Sequence, residues 1–158
     1  MKQIKAIALD VDGVLTDGSF QWGPNGEEWK SFSFRDVMGI SLARKAGLLI
    51  ALISGEASLL VDRFAQKMGI VDVHKGCKDK ASALCAFAAR YGLNTHEVCF
   101  VGDDVNDLGA FAIAGWAVAP ADAHPKAKAA AHYVTQARGG RGAVRELLDQ
   151  LLDQAETT

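Results

Sequence analysis

Two aspartates separated by a single residue, Asp10 and Asp12, follow the first apolar run of the chain. A second acidic group, Asp103, Asp104 and Asp107, follows another apolar run and Gly102. Ser54-Gly55-Glu56 ends a third run, and Lys80 lies a short loop beyond a fourth. Carboxylates gathered this way repel strongly unless a cation stands among them. An all-oxygen donor set suits Mg²⁺, which binds through a few carboxylates, waters and phosphate oxygens. Ser54, the amide of Gly55 at a helix start and Lys80 offer donors and positive charge to a phosphate. Together these parts fit phosphoryl transfer, where catalysis is mostly positioning and charge neutralisation. One aspartate can attack phosphorus as a covalent nucleophile. A second, two residues away, can protonate the leaving oxygen and then activate water.

Something must bring these groups together. The apolar runs Ile4–Val11, Leu48–Ser54, Val71–His74, Val98–Gly102, Trp116–Ala119 and His132–Thr135 show little polar alternation. That is the pattern of strands covered on both faces. Between them, Leu59, Leu60, Phe64 and Met68 fall on one helical side before Gly69, and Ala83, Leu84, Phe87 and Tyr91 do so before Gly92. Val144, Leu147, Leu148, Leu151 and Leu152 mark a last amphipathic helix, and the Ala-rich stretch 121–131 reads as a small-residue helix or loop. The alternation predicts one α/β domain over residues 1–158, a Rossmann-like parallel sheet with helices on both faces. Ligands of such sheets bind at the carboxyl ends of the strands, where every polar group named above falls. Alternate residues on a regular strand face opposite ways, so the chain must bend after Val11 for Asp10 and Asp12 to share a site. Gly13 permits that bend.

Composition narrows the partners. With 17 basic against 19 acidic residues in 158, the formal charge of −2 gives no reason to expect nucleic acid or an anionic membrane. No apolar run reaches the roughly 18 residues of a membrane span. The basic start Met1-Lys2-Gln3-Ile4-Lys5 leads to Asp10 and Asp12 with no small-residue cleavage site, so it reads as a strand and not as a signal peptide. Cys77, Cys85 and Cys99 match no zinc spacing and read as free thiols of a reducing cytoplasm, buried in the core. His74, His96, His124 and His132 show no ligand spacing and read as structural or surface residues.

Residues 18–34 break the alternation. Gly23-Pro24-Asn25-Gly26 is a strong turn signal between aromatic and Ser-rich strand formers, which predicts a protruding hairpin. Phe20 and Trp22 share one face, as do Phe32 and Phe34. An isolated two-stranded ribbon is unstable in water. Its aromatics therefore fold back on their own domain or pack on another subunit.

The set of motifs resembles the haloacid dehalogenase superfamily of phosphohydrolases. Asp10-Val11-Asp12-Gly13-Val14-Leu15-Thr16 is similar to its first motif, Ser54 to its second, Lys80 to its third, and Gly102-Asp103-Asp104 with Asp107 to its fourth. The resemblance implies that Asp10 is the nucleophile and Asp12 the acid/base. It also implies that Mg²⁺ is held by Asp10, Asp103 and the main-chain carbonyl of Asp12, with Ser54, Gly55 and Lys80 on the phosphoryl group. Asp17-Gly18, the hairpin, the lack of room for a cap domain, and the tail Ala121-Asp122-Ala123-His124-Pro125 with Gly139–Glu146 resemble the capless branch. That branch acts on phosphates of 2-keto-3-deoxy sugar acids, and the tail favours the eight-carbon octulosonate 8-phosphate (KDO 8-phosphate). It also implies a homotetramer joined through the hairpins.

Glu56 and Lys67 point instead towards relatives acting on nine-carbon 2-keto-3-deoxynononate (KDN) or N-acylneuraminate 9-phosphates. On one helix these two residues lie about 16 Å apart along the axis at about 1.5 Å per residue, so a small substrate touches both only if Lys67 comes from a neighbouring subunit. Both also suit the ends of their helix electrostatically. Gly139–Arg145, with Arg141, is either an ordinary loop and helix start or an anion-binding lid from a neighbour. A phospho-receiver domain also combines acidic metal ligands, Ser or Thr and Lys on a parallel sheet. It has no use, however, for Asp12 as an acid/base, and its acidic pair does not follow the fourth strand. A non-catalytic subunit would not need the complete acidic set.

Overall fold

The computed structural model describes residues 3–156. Met1, Lys2, Thr157 and Thr158 of the expected domain lie outside the described residues. Six parallel strands form one sheet: β1 (Ala6–Leu9), β4 (Leu49–Ile53), β5 (Asp72–His74), β6 (Val98–Val101), β7 (Trp116–Ala119) and β8 (Tyr133–Val134). Their order is β5-β4-β1-β6-β7-β8, with Ala8 opposite Ala51 on one side and Phe100 on the other. The chain starts at the centre, runs outward to β5, then returns past β1 to build the other half. β1 thus sits where the order reverses, the place where ligands bind in open parallel sheets. All six expected strands are present, each within a few residues of its predicted ends.

The helices α1 (Phe34–Lys45), α2 (Leu59–Met68) and α6 (Ala143–Glu156) cover one face. There Ile7, Leu9, Ile50, Leu52 and Val101 pack with Ile40, Val61, Phe64, Val144, Leu147 and Leu148. The helices α3 (Lys80–Arg90), α4 (Leu108–Ile113) and α5 (Pro125–Ala130) cover the other. That face of the sheet is built of Ala6, Ala8, Ala51 and Ala117, with Phe87, Phe100 and Phe111 filling the space the alanines leave. Among the described residues, no helix is long and apolar enough to cross a membrane.

Helix α1 had no clear sequence signature. Its buried positions are Asp36, Gly39, Ile40 and Ala43, which are helically spaced but mostly small or charged. Gly39 is what lets α6 approach, since a Cβ there would meet the Arg145 backbone at 3.2 Å. Asp36 accepts from the Arg145 amide at 2.9 Å and so caps α6 across the interface. Burial raises the Asp36 carboxyl above its ordinary range, against the opposing pull of the Arg145, Gly142 and Val144 amides.

The hairpin is shorter than expected. Its strands are β2 (Gln21–Trp22) and β3 (Glu28–Trp29), antiparallel, with Trp22 opposite Glu28. Phe34 begins α1 instead and is 82% exposed, while Phe32 stacks on Phe64 of α2 at 4.5 Å. Phe20 and Trp22 do share a face, with ring centroids 5.0 Å apart. Two of the expected core thiols also differ: Cys99 is buried, Cys77 is half-buried and Cys85 is exposed. His132 accepts the Ala117 amide at 2.8 Å and His124 that of Lys126 at 3.1 Å, both structural roles.

The segment between β8 and α6 is anchored by Glu146, whose carboxylate accepts the amides of Gln136 and Ala137 and the Tyr133 hydroxyl at 2.7–3.1 Å. Burial alone would raise this carboxyl, but the Ala137 and Gln136 amides and Tyr133 hold it below its usual range. A depressed native pKa stabilises the fold above the unfolded value of about 4.3, and that stability is lost as pH falls through the native pKa. Urea unfolding of Glu146→Gln is therefore expected to show a loss of about 1–2 kcal/mol at pH 7 that shrinks towards zero near pH 3.

Candidate active site

Asp10 continues β1, its amide donating to the Val101 carbonyl at 3.0 Å, so the sheet ladder itself delivers the side chain to the edge. The chain then bends as required. The amides of Val14, Leu15 and Thr16 all point at the Val11 carbonyl, and Gly13 sits at φ +83°. Thr16 Oγ1 accepts the Gly13 and Gly18 amides at 3.2 Å each and closes the loop. A Cβ at Gly13 would lie 1.8 Å from Asp103 Oδ2, so only glycine admits the acidic loop after β6. Asp10 and Asp12 consequently face one cavity of about 520 Å³, together with Asp103, Asp104, Lys80, Gly55 and Glu56.

Asp107 organises this edge from beneath. It is fully buried; Oδ2 accepts the amides of Asp103 and Asp104 at 2.8 and 3.1 Å, and Oδ1 accepts from Lys80 Nζ at 2.7 Å. Lys80, the first residue of α3, also reaches Asp10 Oδ1 at 3.1 Å. Carboxylate oxygens of Asp10, Asp103 and Asp107 lie within 4.8 Å of one another. Three carboxylates against one ammonium leave two negative charges in excess. Burial, and then the charge of Asp107, push the Asp10 carboxyl well above its ordinary range despite Lys80. Burial also raises Asp103 to about 6, although its hydrogen bond with Asp10 and the charge of Lys80 work the other way. Lys80 is raised as well, because Asp10 and Asp107 together outweigh the cost of burying it. The raised carboxyls mark a place where positive charge is in short supply. Asp107 has spent its oxygens on three donors, so Asp10 and Asp103, which face the cavity, are the carboxylates left to hold an ion. The all-oxygen donor set and the doubly negative excess fit Mg²⁺.

The other predicted residues divide. Ser54 is buried at the end of β4 and its Oγ accepts the Glu56 amide at 3.2 Å. Gly55 and Glu56 line the cavity, but they precede α2, whose N-cap is Ser58. The Gly55 amide is therefore a loop amide and not a helix-start amide, because Ser58 takes the cap. Lys67 lies elsewhere, in an apolar groove of about 590 Å³ bounded by Phe32, Phe34, Leu60 and Phe64. That groove is the larger cavity, yet it contains none of the carboxylates. Arg141 lines a third cavity with Asp17, Ser33 and Arg35. The Gly139-Gly140 pair packs under the loop of its own chain: the Gly140 amide donates to the Val14 carbonyl at 2.9 Å, and a Cβ at Gly139 would lie 1.8 Å from the Gly13 carbonyl oxygen. This segment is thus a support for the Asp12 loop.

Sequence reasoning missed residues that the hairpin brings in. Phe20, Trp22 and Glu28 line the cavity wall, as do Cys77, Lys78 and Asn106. Lys30 donates to both Asp12 oxygens, at 2.8 and 3.0 Å. A signal existed: Glu28 and Lys30 alternate with Trp29, so the polar side of this strand had to face something polar.

Residues 45–147 match the family model of the haloacid dehalogenase-like hydrolases. The chain is 41% identical over 151 residues to a 3-deoxy-D-manno-octulosonate 8-phosphate phosphatase of Salmonella typhi, covering 96% of this chain and 80% of the relative. The crystal structure of the Moraxella catarrhalis phosphatase of that name, in complex with magnesium ion, phosphate ion and KDO, superimposes with a TM-score of 0.92 at 35% identity, covering 95% of this chain and 86% of that one. The cobalt-bound Haemophilus influenzae enzyme does so with a TM-score of 0.92 at 38% identity, covering 96% and 88%. The fold and the acidic edge define a hydrolase of the parallel-sheet α/β class. The chain belongs to the haloacid dehalogenase-like hydrolase family.

Ionised Asp103 is penalised in the native state. A raised native pKa costs nothing below the unfolded value of about 3.9, and the penalty grows until pH passes the native value of about 6. Metal-free Asp103→Asn should therefore melt a few degrees above the wild type at pH 8 and level with it near pH 4. The rise in Tm that Mg²⁺ gives the wild type at pH 8 should be lost in the variant, as read by calorimetry.

Proposed function

We propose that this chain is a Mg²⁺-dependent phosphatase that converts KDO 8-phosphate to KDO and inorganic phosphate through an aspartyl-phosphate intermediate. The observation that carries the reading is the doubly negative excess of Asp10, Asp103 and Asp107 around Lys80 at the edge of a cavity that also takes in Asp12. The substrate comes from the relatives' names and from the phosphate and KDO in the Moraxella catarrhalis complex.

In this reading Asp10 and Asp103, with the Asp12 carbonyl, hold the ion, and Ser54, the Gly55 amide and Lys80 take the phosphoryl oxygens. The bound ion offsets the repulsion between the Asp10 carboxylate and the phosphoryl group. An Asp10 oxygen forms a bond to phosphorus as the ester P–O bond breaks, and Asp12 gives its proton to the leaving sugar oxygen. Asp12 then takes a proton from water, whose oxygen bonds to phosphorus and releases Asp10 and inorganic phosphate. Asp107 and Asp104 keep the loop and Lys80 in register. A phospho-receiver would have no work for Asp12 here.

Glu56, which lines the cavity, favours a second substrate class, the nine-carbon KDN or N-acylneuraminate 9-phosphates, through its resemblance to relatives with Glu at this place. Lys67, in a separate groove, serves either substrate only from a neighbouring subunit. Exposed Trp22 on the hairpin and exposed Phe34 just beyond it at the start of α1 (72% and 82%) support assembly into a homotetramer through the hairpins. Small-molecule substrates, no nucleic acid or membrane partner, and a cytoplasmic place with free thiols complete the reading.

The test is kcat/KM for the 8-phosphate and 9-phosphate acids side by side, which measures differential transition-state binding. The 8-phosphate is expected to win by at least about 10-fold, with Asp10→Asn inactive on both. A preference for the 9-phosphate would transfer the assignment to the second class, and turnover by pure Asp10→Asn would end the covalent route. For assembly, Trp22→Ser with Phe34→Ser should sediment as smaller species than the wild type. Phe32 is left intact because it stacks on Phe64 within the fold.

A further inference from the structure

Lys30 lies one residue beyond β3, and its side chain is only 3% exposed. Its ammonium sits 2.8 and 3.0 Å from the two oxygens of Asp12, whose side chain is 30% exposed. Asp12 lines the cavity and Lys30 does not. The contact with Asp12 is thus what joins Lys30 to the cavity.

A buried ammonium is strongly destabilising unless a carboxylate meets it, so the fold holds the two together. The consequence for Asp12 is orientation. Its neighbours in the loop bond to Val11 and Thr16, and none of those bonds selects among the staggered positions of its own carboxylate. Two contacts to one fixed cation select a single position. The cation is itself held: on the same strand Glu28 accepts from Ser58 Oγ at 3.2 Å, so β3 is tied to the start of α2 as well as to the loop after β1. The hairpin thus bridges the cavity mouth, with a polar contact on each side.

We propose that Lys30 is a positioning residue for Asp12, the hairpin supplying the cation that aims the acid/base carboxylate at the leaving oxygen and then at water. This rests on the reading of Asp12 as the acid/base.

Nitrophenolate leaves p-nitrophenyl phosphate without protonation, as the Asp10 oxygen bonds to phosphorus and the P–O bond to the ring breaks. Hydrolysis of the resulting aspartyl phosphate still needs a base to take a proton from water. In stopped flow with Mg²⁺, Lys30→Met is expected to release the first equivalent of nitrophenolate within about 3-fold of the wild-type rate and then turn over about 10–100-fold more slowly. With KDO 8-phosphate, kcat should fall by a similar factor while KM stays within about 3-fold, and Lys30→Arg should recover about half of the loss on a logarithmic scale. Asp12→Asn should be slow alone, and adding Lys30→Met to it should cost less than about 2-fold more. A wild-type rate in Lys30→Met, or losses that multiply in the double variant, would overturn the positioning role and leave the acid/base reading standing. A fast Asp12→Asn enzyme would overturn both. If Lys30→Met fails to fold by circular dichroism, Lys30→Arg decides: kcat depressed at unchanged KM supports the role, and an effect on KM alone overturns it.

Discussion

Everything at the sheet edge is arranged around one buried ammonium among too many carboxylates. Lys80 meets Asp10 and Asp107 directly, and Asp103 stands within reach of both acids. In water such a group would separate. Inside the protein it is held by the backbone, because Asp107 spends its second oxygen on the amides of Asp103 and Asp104. A fully satisfied buried carboxylate is rigid, and its rigidity is transmitted to the loop that carries its neighbours. The site keeps its charge imbalance because β1, β6 and α3 each fix one member of it. A divalent ion balances those two charges where a single proton would leave one, and this is what makes the edge a binding site.

The topology explains why those elements meet there. β1 lies between β4 and β6, so the two neighbours nearest Asp10 are the strands that deliver Ser54 and Asp103. α3 begins at Lys80 just beyond β5, and its first turn projects back over the same edge. Small residues permit the approach. Gly13 leaves space for Asp103, and Gly139 and Gly140 let the tail of the chain press against the Asp12 loop from the opposite side. The Glu146 contacts hold that tail in turn. The last helix is therefore linked to the chemistry through the packing of its N-terminal loop, although it contributes no side chain to the cavity.

What could be read from the sequence followed physical strength of signal. Strands buried on both faces write themselves as apolar runs, so all six could be found, along with the edge where Asp10, Lys80 and Asp103 gather. The bend at Gly13 was required by the spacing of Asp10 and Asp12 alone. Helix α1 was not legible, because its buried stripe consists of Asp36, Gly39 and Ala43 beside a single large residue, Ile40, and its packing depends on the absence of side-chain bulk. The capping of α2 by Ser58 displaced Gly55 and Glu56 from the helix, a matter of which of two nearby serines takes the cap. Lys30 was hidden for a different reason. Its partner lies 18 residues away, and the alternation of Glu28 and Lys30 with Trp29 marks a polar side without naming the residue it meets when the hairpin folds over a loop.

The hairpin reconciles two demands that the aromatic residues alone left open. One side of β3 carries Glu28 and Lys30, which are satisfied within the chain by Ser58 and Asp12. Phe20 and Trp22 stand against the cavity, yet Trp22 remains 72% exposed, and Trp29 on the outer side is 52% exposed. The ribbon is thus held by polar contacts at its base while its apolar surface stays largely uncovered. Two-residue strands have little stability of their own. The geometry of this segment therefore depends on those polar ties, and in Lys30–Asp12 the lysine side chain is only 3% exposed. A cover on the exposed aromatics would restrict the ribbon further, and with it the carboxylate that Lys30 holds. On the proposed function, assembly and acid/base geometry would be connected in this way through one short strand.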